Sequence, residues 1–371
     1  MTYNKGNSMH KTIRAALQLS ALITALGSAA AQAGVADQTS IAVMAMDPPR
    51  QTAAEPFQGQ PAIYNLLKPN EVTQKWNLCA LFPHTTNDIL RAYLYGTVEQ
   101  AKHLGAQLTI YDAGGYANID KQMAQFDNCL TLGAQAILMF SVSPNGMNQK
   151  IEQARAKGIK VVDLNTGVAT TTDARVVVTY KEVGKLIGDA LASKHPAGSG
   201  VTPVVLLPGP AGVSWSEDSV LGFKDAIAGS DIKLEKVVYG QSGRLDQQPL
   251  VENILVTYPG IKYIVGMGST IEAALTTLRE RGKLGDIGLY ATFITADLLK
   301  PVRNGDVAGV VVENSVSINQ IAVDMAVRSL QGSLQLRDAI PAVQMMDKGN
   351  VDTLSDAAFA PRSWKAQLKV D

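Results

Sequence analysis

From Trp76 onward, short apolar runs rich in Val, Ile and Leu alternate with longer amphipathic stretches. Nearly continuous apolar strands between amphipathic helices are typical of parallel sheets that helices cover on both faces. The alternation therefore predicts an α/β fold built from repeated strand–helix units. The predicted strands are residues 78–82, 107–111, 136–140, 160–164, 175–179, 203–207, 234–239, 263–267, 287–291 and 308–312. The predicted helices are residues 88–104, 119–132, 145–157, 181–193, 216–228, 247–258, 270–281 and 318–330.

The strands fall into two runs, which predicts two Rossmann-like lobes with parallel sheets, joined by three crossing segments. A Thr- and Gly-rich stretch at residues 165–173 replaces a helix between two strands and indicates the first crossing. The second crossing is expected near residues 292–295, after which a strand and a helix complete the first lobe. The predicted segments are a leader (1–33), an N-terminal extension (34–72), lobe 1 (73–177 and 293–331), lobe 2 (178–292 and 332–350) and a C-terminal tail (351–371).

The leader has the pattern of a secretory signal peptide. Lys5, Lys11 and Arg14 precede a short apolar stretch at residues 15–26, and small residues follow up to Ala33. The apolar stretch is too short to span a bilayer, and Ala-Gln-Ala fits a cleavage site after Ala33. We therefore expect export to the periplasm of a Gram-negative cell.

Residues 34–72 are rich in Pro, Gln and Ala and have no clear period, so an extended arm is expected. Such an arm either lies on its own protein body or widens a docking surface for a partner. Four apolar side chains in it serve either role, namely Ile63, Tyr64, Leu66 and Leu67.

The two cysteines, Cys79 and Cys129, would both remain in the exported protein. An even and sparse cysteine count in an oxidising compartment indicates one disulfide. Two buried free thiols are the alternative.

Charge and motifs argue against several classes of function. The chain has 33 basic and 33 acidic residues, which gives no reason to expect nucleic acid as a partner. His84, His103 and His195 do not cluster in the predicted fold, so no metal site is expected. Neither a phosphate-binding Gly pattern nor a G-x-S-x-G motif is present, so we expect no cofactor and no enzymatic activity.

The carboxyl ends of the predicted strands carry the candidate binding residues. In open parallel sheets ligands bind outside these ends, and two facing lobes can close on a small molecule. Aromatic residues are only 6% of the chain, yet several follow predicted strands, where their faces would bind apolar groups or cations. Ordinary packing in a lobe core is the alternative for each of them. The candidate ligand-binding residues are Asn87, Asp88, Tyr116, Tyr180, Trp215 and Phe293.

Several segments together resemble a known family. They are Trp76-x-Leu78-Cys79-Ala80-Leu81-Phe82-Pro83, Ala113-Gly114-Gly115-Tyr116, Cys129 in the following helix, Pro208-Gly209-Pro210 and Leu330-Gln331-Gly332. With these segments the chain resembles the type I periplasmic binding proteins and, among them, the TorT proteins. The resemblance implies a ligand held between two lobes and no enzymatic activity. It also implies trimethylamine N-oxide or a related small ligand, and a partner in the periplasmic domain of a TorS-type sensor histidine kinase.

The chain departs from this family in the binding residues. An ungapped alignment places Ile89 and Leu90 where the TorT proteins have a Tyr-Trp pair, while Tyr180 and Phe293 keep aromatic positions. Asn87 stands in place of an aspartate, and Trp215 appears where the family tends to have glycine. The ligand therefore stays open, and the alternative function is a substrate-binding protein that serves an ABC permease for a sugar or similar solute.

Overall fold

The computed structural model describes residues 39–354 and 358–371, so the predicted signal peptide lies outside the described residues. The strands are β1 (Ser40–Ala45), β2 (Gln60–Asn65), β3 (Asn77–Phe82), β4 (Gln107–Asp112), β5 (Ala136–Met139), β6 (Lys160–Asn165), β7 (Ala174–Val177), β8 (Thr202–Leu207), β9 (Ile232–Val237), β10 (Tyr263–Gly266), β11 (Gly288–Ala291), β12 (Gly309–Val312), β13 (Ala339–Ile340), β14 (Gln344–Met346) and β15 (Lys369–Val370). The helices are α1 (Asp88–His103), α2 (Ile119–Thr131), α3 (Asn148–Ala156), α4 (Tyr180–Lys194), α5 (Ser214–Ile227), α6 (Arg244–Thr257), α7 (Gly268–Glu280), α8 (Leu299–Asn304) and α9 (Ser315–Gln331).

Lobe 1 is a six-stranded sheet in the order β15-β4-β3-β5-β6-β7. Its strands are parallel except for the edge strand β15, which the C-terminal tail contributes. Successive side chains of β3 point to opposite faces, so Leu78 and Ala80 pack toward α1 and α9 while Leu81 packs toward α2 and α3. Burial on both faces explains why the strands read as continuous apolar runs.

The predicted disulfide joins the sheet of lobe 1 to α2. Cys79 in β3 is bonded to Cys129 near the end of α2, with 5.8 Å between their Cα atoms. Both side chains are buried. The disulfide therefore fixes a covering helix to a central strand of the lobe.

Lobe 2 is a second six-stranded sheet in the order β14-β12-β11-β10-β8-β9. Helices α4 and α5 cover one face and α6 and α7 cover the other. Glycines allow α4 and α5 to pack backbone to backbone, because a Cβ added to Gly184 would lie 1.9 Å from the carbonyl oxygen of Ser219. The helix pair then carries its two N-terminal ends, at Tyr180 and Ser214, to the same edge of the sheet.

The second crossing lies elsewhere than the sequence indicated. The prediction assigned residues 293–331 wholly to lobe 1, but β12 pairs with β11 in lobe 2, with Ala291 opposite Val310. Only α9 packs on lobe 1, so the chain crosses at Glu313 and Asn314. Asn314 has a left-handed backbone, with φ of 52°, at this turn. A short apolar strand fits the edge of either sheet, and its pattern does not say which one it joins.

The stretch at residues 165–173 is not a crossing. It connects β6 to β7, and these two strands are neighbours in the same sheet, with Val162 opposite Ala174. The first crossing follows β7, where the chain enters α4 at Tyr180. A loop without a helix can join two parallel neighbours, which is the connection found here.

The N-terminal extension contains strands rather than an irregular arm. Strands β1 and β2 pair antiparallel, and β13 joins β1 to make a three-stranded sheet. Along β1 the side chains of Ile41, Val43 and Ala45 are buried, whereas Ser40 and Ala42 are exposed. This period of two is visible in the sequence, but the Pro- and Gln-rich residues around it conceal it.

The extension lies on the body of the protein. Tyr64 and Leu67 are buried, and the Tyr64 hydroxyl donates a hydrogen bond of 2.7 Å to Asp324 in α9. Arg50 forms a buried ion pair with Asp338, with 2.7 Å between Nε and Oδ2. The extension is therefore part of the folded core. Within the described residues, no helix is long and apolar enough to cross a membrane.

Candidate functional site

A cavity lies where the carboxyl ends of the two sheets face each other, and we name it the aromatic cavity. Asn87, Tyr116, Tyr180, Trp215 and Phe293 all line it, which is five of the six candidate residues. Its volume open to water is about 40 Å³. The strand-end rule thus located the position of this cavity, while direct contact of these side chains with a ligand stays a prediction.

Trp215 is at the centre of the aromatic side chains. It is the second residue of α5, and its ring centroid lies 5.8 Å from that of Tyr116 and 6.4 Å from that of Tyr180. Its indole nitrogen is buried, and its side chain interacts with that of Tyr116. Because Tyr116 belongs to lobe 1 and Trp215 to lobe 2, this contact joins the lobes across the cavity.

Two glycines make room for the rings. Gly209 has φ of +125°, and a Cβ there would lie 2.3 Å from Cη2 of Trp215. Gly268 opens α7, and a Cβ there would lie 2.8 Å from the ring of Phe293. Because Gly209 has no side chain, the Pro208-Gly209-Pro210 segment leaves space for the ring of Trp215 in the cavity wall.

The start of α1 supplies an aliphatic wall. Asn87 caps this helix, because its Oδ1 accepts a hydrogen bond of 3.0 Å from the backbone nitrogen of Leu90. Ile89 and Leu90 line the aromatic cavity. These are the two positions at which the ungapped alignment places a Tyr-Trp pair of the TorT proteins. Asp88, the sixth candidate, is exposed and lies outside the aromatic cavity, since the first turn of α1 directs it to a neighbouring cavity.

Tyr93 and Glu313 are among the cavity residues that were not predicted. Tyr93 lies in α1, one turn after Leu90, and its hydroxyl donates a hydrogen bond to Oε1 of Glu313. Glu313 directly follows β12. The strand-end rule applied to β12 was the available signal for Glu313, whereas nothing local in the sequence distinguishes Tyr93.

Glu313 is a buried acid, with 5% of its surface exposed. Burial raises its pKa to about 7, although hydrogen bonds from Tyr93 and Ser315 oppose that rise. Within the described residues, no lysine or arginine forms an ion pair with it. Burial also raises the pKa of Tyr180, and the charge of Glu313 raises it further. The cavity therefore combines aromatic faces with an unneutralised carboxyl group.

His84 forms part of the wall on the side of lobe 1. It is buried, and its ring meets the ring of Tyr116 edge-on at 5.7 Å between centroids. Burial lowers the pKa of His84, although the nearby charge of Asp112 acts in the opposite direction. Nδ1 lies 3.1 Å from the hydroxyl of Thr86. The imidazole is therefore expected to be neutral at pH 7.

A second, larger cavity adjoins the first, and we name it the tail cavity. It shares Ile89 and Glu313 with the aromatic cavity and has a volume of about 250 Å³ open to water. Asp88, Asp297 and Arg362 are among its lining residues. The C-terminal tail, from residue 358 onward, therefore makes one of its walls.

The tail connects the two lobes beside this cavity. The guanidinium of Arg91 donates a hydrogen bond of 2.6 Å to the carbonyl oxygen of Trp364, and the indole nitrogen of Trp364 donates to Glu99 at 3.1 Å. Both partners lie in α1 of lobe 1. Arg362 pairs with Asp297 of lobe 2 at 3.1 Å. The tail is thus fixed to both sides of the inter-lobe space.

A family model described as "Periplasmic binding protein domain" matches residues 80–334. The chain is similar to the periplasmic protein TorT of Escherichia coli K12, with 27% identity over 300 residues. That match covers 79% of this chain and 86% of TorT.

Solved structures give a similar result. An ABC transporter solute binding protein from Bradyrhizobium sp. BTAi1 with bound bis-tris has 32% identity and a TM-score of 0.76, and covers 88% of this chain and 98% of that one. The complex of the TorS sensor domain with TorT in the presence of trimethylamine N-oxide has 26% identity and a TM-score of 0.71. It covers 79% of this chain and 99% of the matched chain.

Proposed function

The chain belongs to the periplasmic binding protein domain family, and from this premise we propose that it senses a small solute between its lobes and signals to a membrane sensor kinase. The family consists of binding proteins rather than enzymes. The proposed location is the periplasm, which agrees with the names of its relatives and with the predicted leader. The proposed ligand is trimethylamine N-oxide or a related small molecule with an alkylated nitrogen.

The observation that carries the ligand class is the set of aromatic rings around the inter-lobe cavity. Trp215 lies against both Tyr116 and Tyr180 there, and Phe293 completes the wall. Aromatic faces attract methylated nitrogens through the ring quadrupole. A sugar needs many hydrogen-bonding groups instead, and the wall formed by Ile89, Leu90 and the rings offers few.

The size of the cavity supports a small ligand. One water needs roughly 10–15 Å³ of such space, so a volume of about 40 Å³ corresponds to a few waters. Trimethylamine N-oxide and bis-tris, which are present in two similar structures, both have a nitrogen with three carbon substituents. A shared nitrogen chemistry among these relatives favours the same class here.

The signalling role is supported by the TorT resemblance. This chain covers 86% of the length of the curated TorT protein, and TorT is found in complex with the TorS sensor domain. The proposed partner is accordingly the periplasmic domain of a sensor histidine kinase. Ile63 is an exposed large apolar residue in the described part of the N-terminal extension, with 47% of its surface accessible, and is the proposed contact in that region.

A second candidate function is solute delivery to an ABC permease. This chain is 32% identical to the ABC transporter solute binding protein and 26% identical to TorT in the complex with the TorS sensor domain. The higher identity favours the transport function. Both functions use the same inter-lobe site, so ligand binding alone does not separate them. The partner does.

The experiment has a ligand arm and a partner arm. In the ligand arm, trimethylamine N-oxide, other alkylated amines and sugars are compared by thermal shift and calorimetry. A ligand at 100 times its dissociation constant should stabilise the protein by roughly 2.7 kcal/mol. Stabilisation by sugars alone would contradict the proposed ligand class.

In the partner arm, the protein is co-purified with the ectodomain of a kinase encoded nearby. Deletion of residues 34–72 is unsuitable, because Tyr64 and Leu67 belong to the core. Ile63→Glu should weaken the complex and leave ligand binding intact, while Leu221→Glu, an equally exposed site in lobe 2, serves as the control. Binding to a permease and to no kinase would favour transport.

A further inference from the structure

Four acids in the described residues are almost fully buried, and three of them have an arginine partner. Asp163 pairs with Arg175, Asp338 with Arg50 and Asp324 with Arg328. The fourth is Glu313, whose hydrogen-bond partners are the hydroxyls of Tyr93 and Ser315. Burial of a carboxylate is costly unless a cation neutralises it, and the other three acids obey that rule. Glu313 lines both the aromatic cavity and the tail cavity, which leaves room for a cation from outside the chain.

The elements around Glu313 provide hydroxyls and rings rather than a cation. Tyr93 of α1, Tyr180 of α4 and Tyr116 after β4 line the aromatic cavity with it. His84 lies on the same wall, and burial lowers its pKa and so favours its neutral form. The aromatic faces and the carboxylate therefore all favour positive charge in the same space.

The charged residues of the tail cavity do not supply the missing cation. Arg91 donates to backbone carbonyls of the C-terminal tail, and Arg362 pairs with Asp297. Asp88, which lines the same cavity, adds a further negative charge. No cationic side chain of the described residues therefore pairs with Glu313.

We propose that the aromatic cavity selects a small alkylammonium cation, with Glu313 as its counter-ion. This rests on the proposed function for the position of the ligand and goes beyond it in assigning a charge. An amine oxide presents a negative oxygen, which an ionised Glu313 would repel, whereas a tetraalkylated nitrogen presents only positive charge and methyl groups. Quaternary ammonium groups are also the cations that aromatic cages bind best.

The test compares ligands of different charge on matched variants. Tetramethylammonium and choline are permanently cationic, and trimethylamine N-oxide is neutral overall. Wild type, Glu313→Gln and Glu235→Gln are titrated with each ligand by calorimetry at pH 7.5. Glu235 lies in β9, at the opposite edge of the lobe 2 sheet from β14, and controls for loss of an acid in the same lobe.

We expect wild type and Glu235→Gln to bind the cations at least about tenfold more tightly than trimethylamine N-oxide. Glu313→Gln should lose about tenfold or more in affinity for the cations and little for trimethylamine N-oxide. Equal or tighter binding of trimethylamine N-oxide by wild type would overturn the charge assignment and leave the proposed function standing. Binding of sugars, with no alkylated nitrogen bound, would overturn the proposed function itself.

The pH dependence of wild type gives a second measurement that needs no variant. Between pH 7.5 and 5.5, protonation of Glu313 should weaken tetramethylammonium binding by about tenfold. His84 gains positive charge at lower pH and would also weaken binding of the cation. The pH dependence of a folded Glu313→Gln variant measures this contribution of His84 separately. An affinity of wild type that does not change over this range would contradict the role of Glu313.

Discussion

The ring of Tyr116 in lobe 1 lies 5.8 Å from the ring of Trp215 in lobe 2, so the two lobes meet through aromatic side chains. Tyr180 contacts the same tryptophan from α4. The three rings therefore form one wall of the aromatic cavity and one contact between lobes. A change to any of them should affect ligand binding more than the fold of either lobe.

Replacing Tyr180 with alanine should weaken ligand binding by roughly 1–3 kcal/mol, because one aromatic face is lost. Tyr239→Ala is the matched control, since Tyr239 is exposed in the same lobe. Calorimetry gives the affinities and circular dichroism checks the fold. Equal affinities for the two variants would remove Tyr180 from the site.

Gly209→Ala should displace Trp215, because the added Cβ would lie 2.3 Å from its ring. We expect a loss of about 1–3 kcal/mol in unfolding free energy and a shift in tryptophan fluorescence. Gly212→Ala is the control, since Gly212 has φ of +74° with nothing within 4 Å of the added Cβ. The positive φ also strains an alanine at position 212, but the fluorescence of this variant should not change. A fluorescence shift in both variants would contradict the proposed clash.

The disulfide predicts that alkylation without reductant finds no free thiol in the exported protein. Replacing both Cys79 and Cys129 with serine should lower the unfolding free energy by about 4 kcal/mol, from the entropy of a 50-residue loop. Urea unfolding of the two proteins measures this loss. Labelling of two cysteines in wild type would show that the bond does not form.

Glu313→Gln should make the protein without ligand more stable at pH 8. The pKa of Glu313 is raised from 4.5 to about 7 in the folded protein, so stability falls as the pH rises from 4.5 to about 7, and the loss is complete above that pH. The wild type should therefore gain stability as the pH falls through 7, on the order of 3 kcal/mol in total, and match the variant near pH 4.5. Urea unfolding across this range measures the difference, and a constant difference would contradict the raised pKa.

Arg91→Ala should release the C-terminal tail. Arg91 donates hydrogen bonds to the carbonyl oxygens of Pro361 and Trp364, so amide exchange in residues 360–364 should become faster. Arg362→Ala breaks only an exposed ion pair with Asp297 and should change stability by less than about 1 kcal/mol. Equal exchange in both variants would mean that Arg91 does not hold the tail.

The alternation of strands and helices was readable from the sequence because both faces of each sheet are buried. The predicted helix at residues 88–104, for example, is found as α1 at Asp88–His103. The aromatic positions of the site followed from the same pattern, because the carboxyl ends of parallel strands come together at one edge of a sheet. The disulfide followed from cysteine count and compartment.

Features that depend on contacts between residues far apart in the sequence could not be predicted from the sequence. The hydrogen bond of Tyr93 to Glu313 joins residues 220 positions apart, and no local pattern records it. The placement of β12 in lobe 2 depends on which sheet edge is vacant, since its four apolar residues suit both lobes. In the N-terminal extension, alternation at Ile41 and Val43 was present but short, and Pro-rich neighbours obscured it.

Asn314 lies between a strand of lobe 2 and a helix of lobe 1, and the residue before it is Glu313. A rotation of one lobe against the other that turns the backbone at this point would also re-aim the carboxyl group of Glu313. The peptide unit between Glu313 and Asn314 would therefore link two quantities: the electrostatic attraction between Glu313 and a bound ligand, and the angle between the lobes. A partner that binds both lobes would then respond to the charge of the bound ligand, because the backbone at residues 313 and 314 connects that charge to the angle between the lobes.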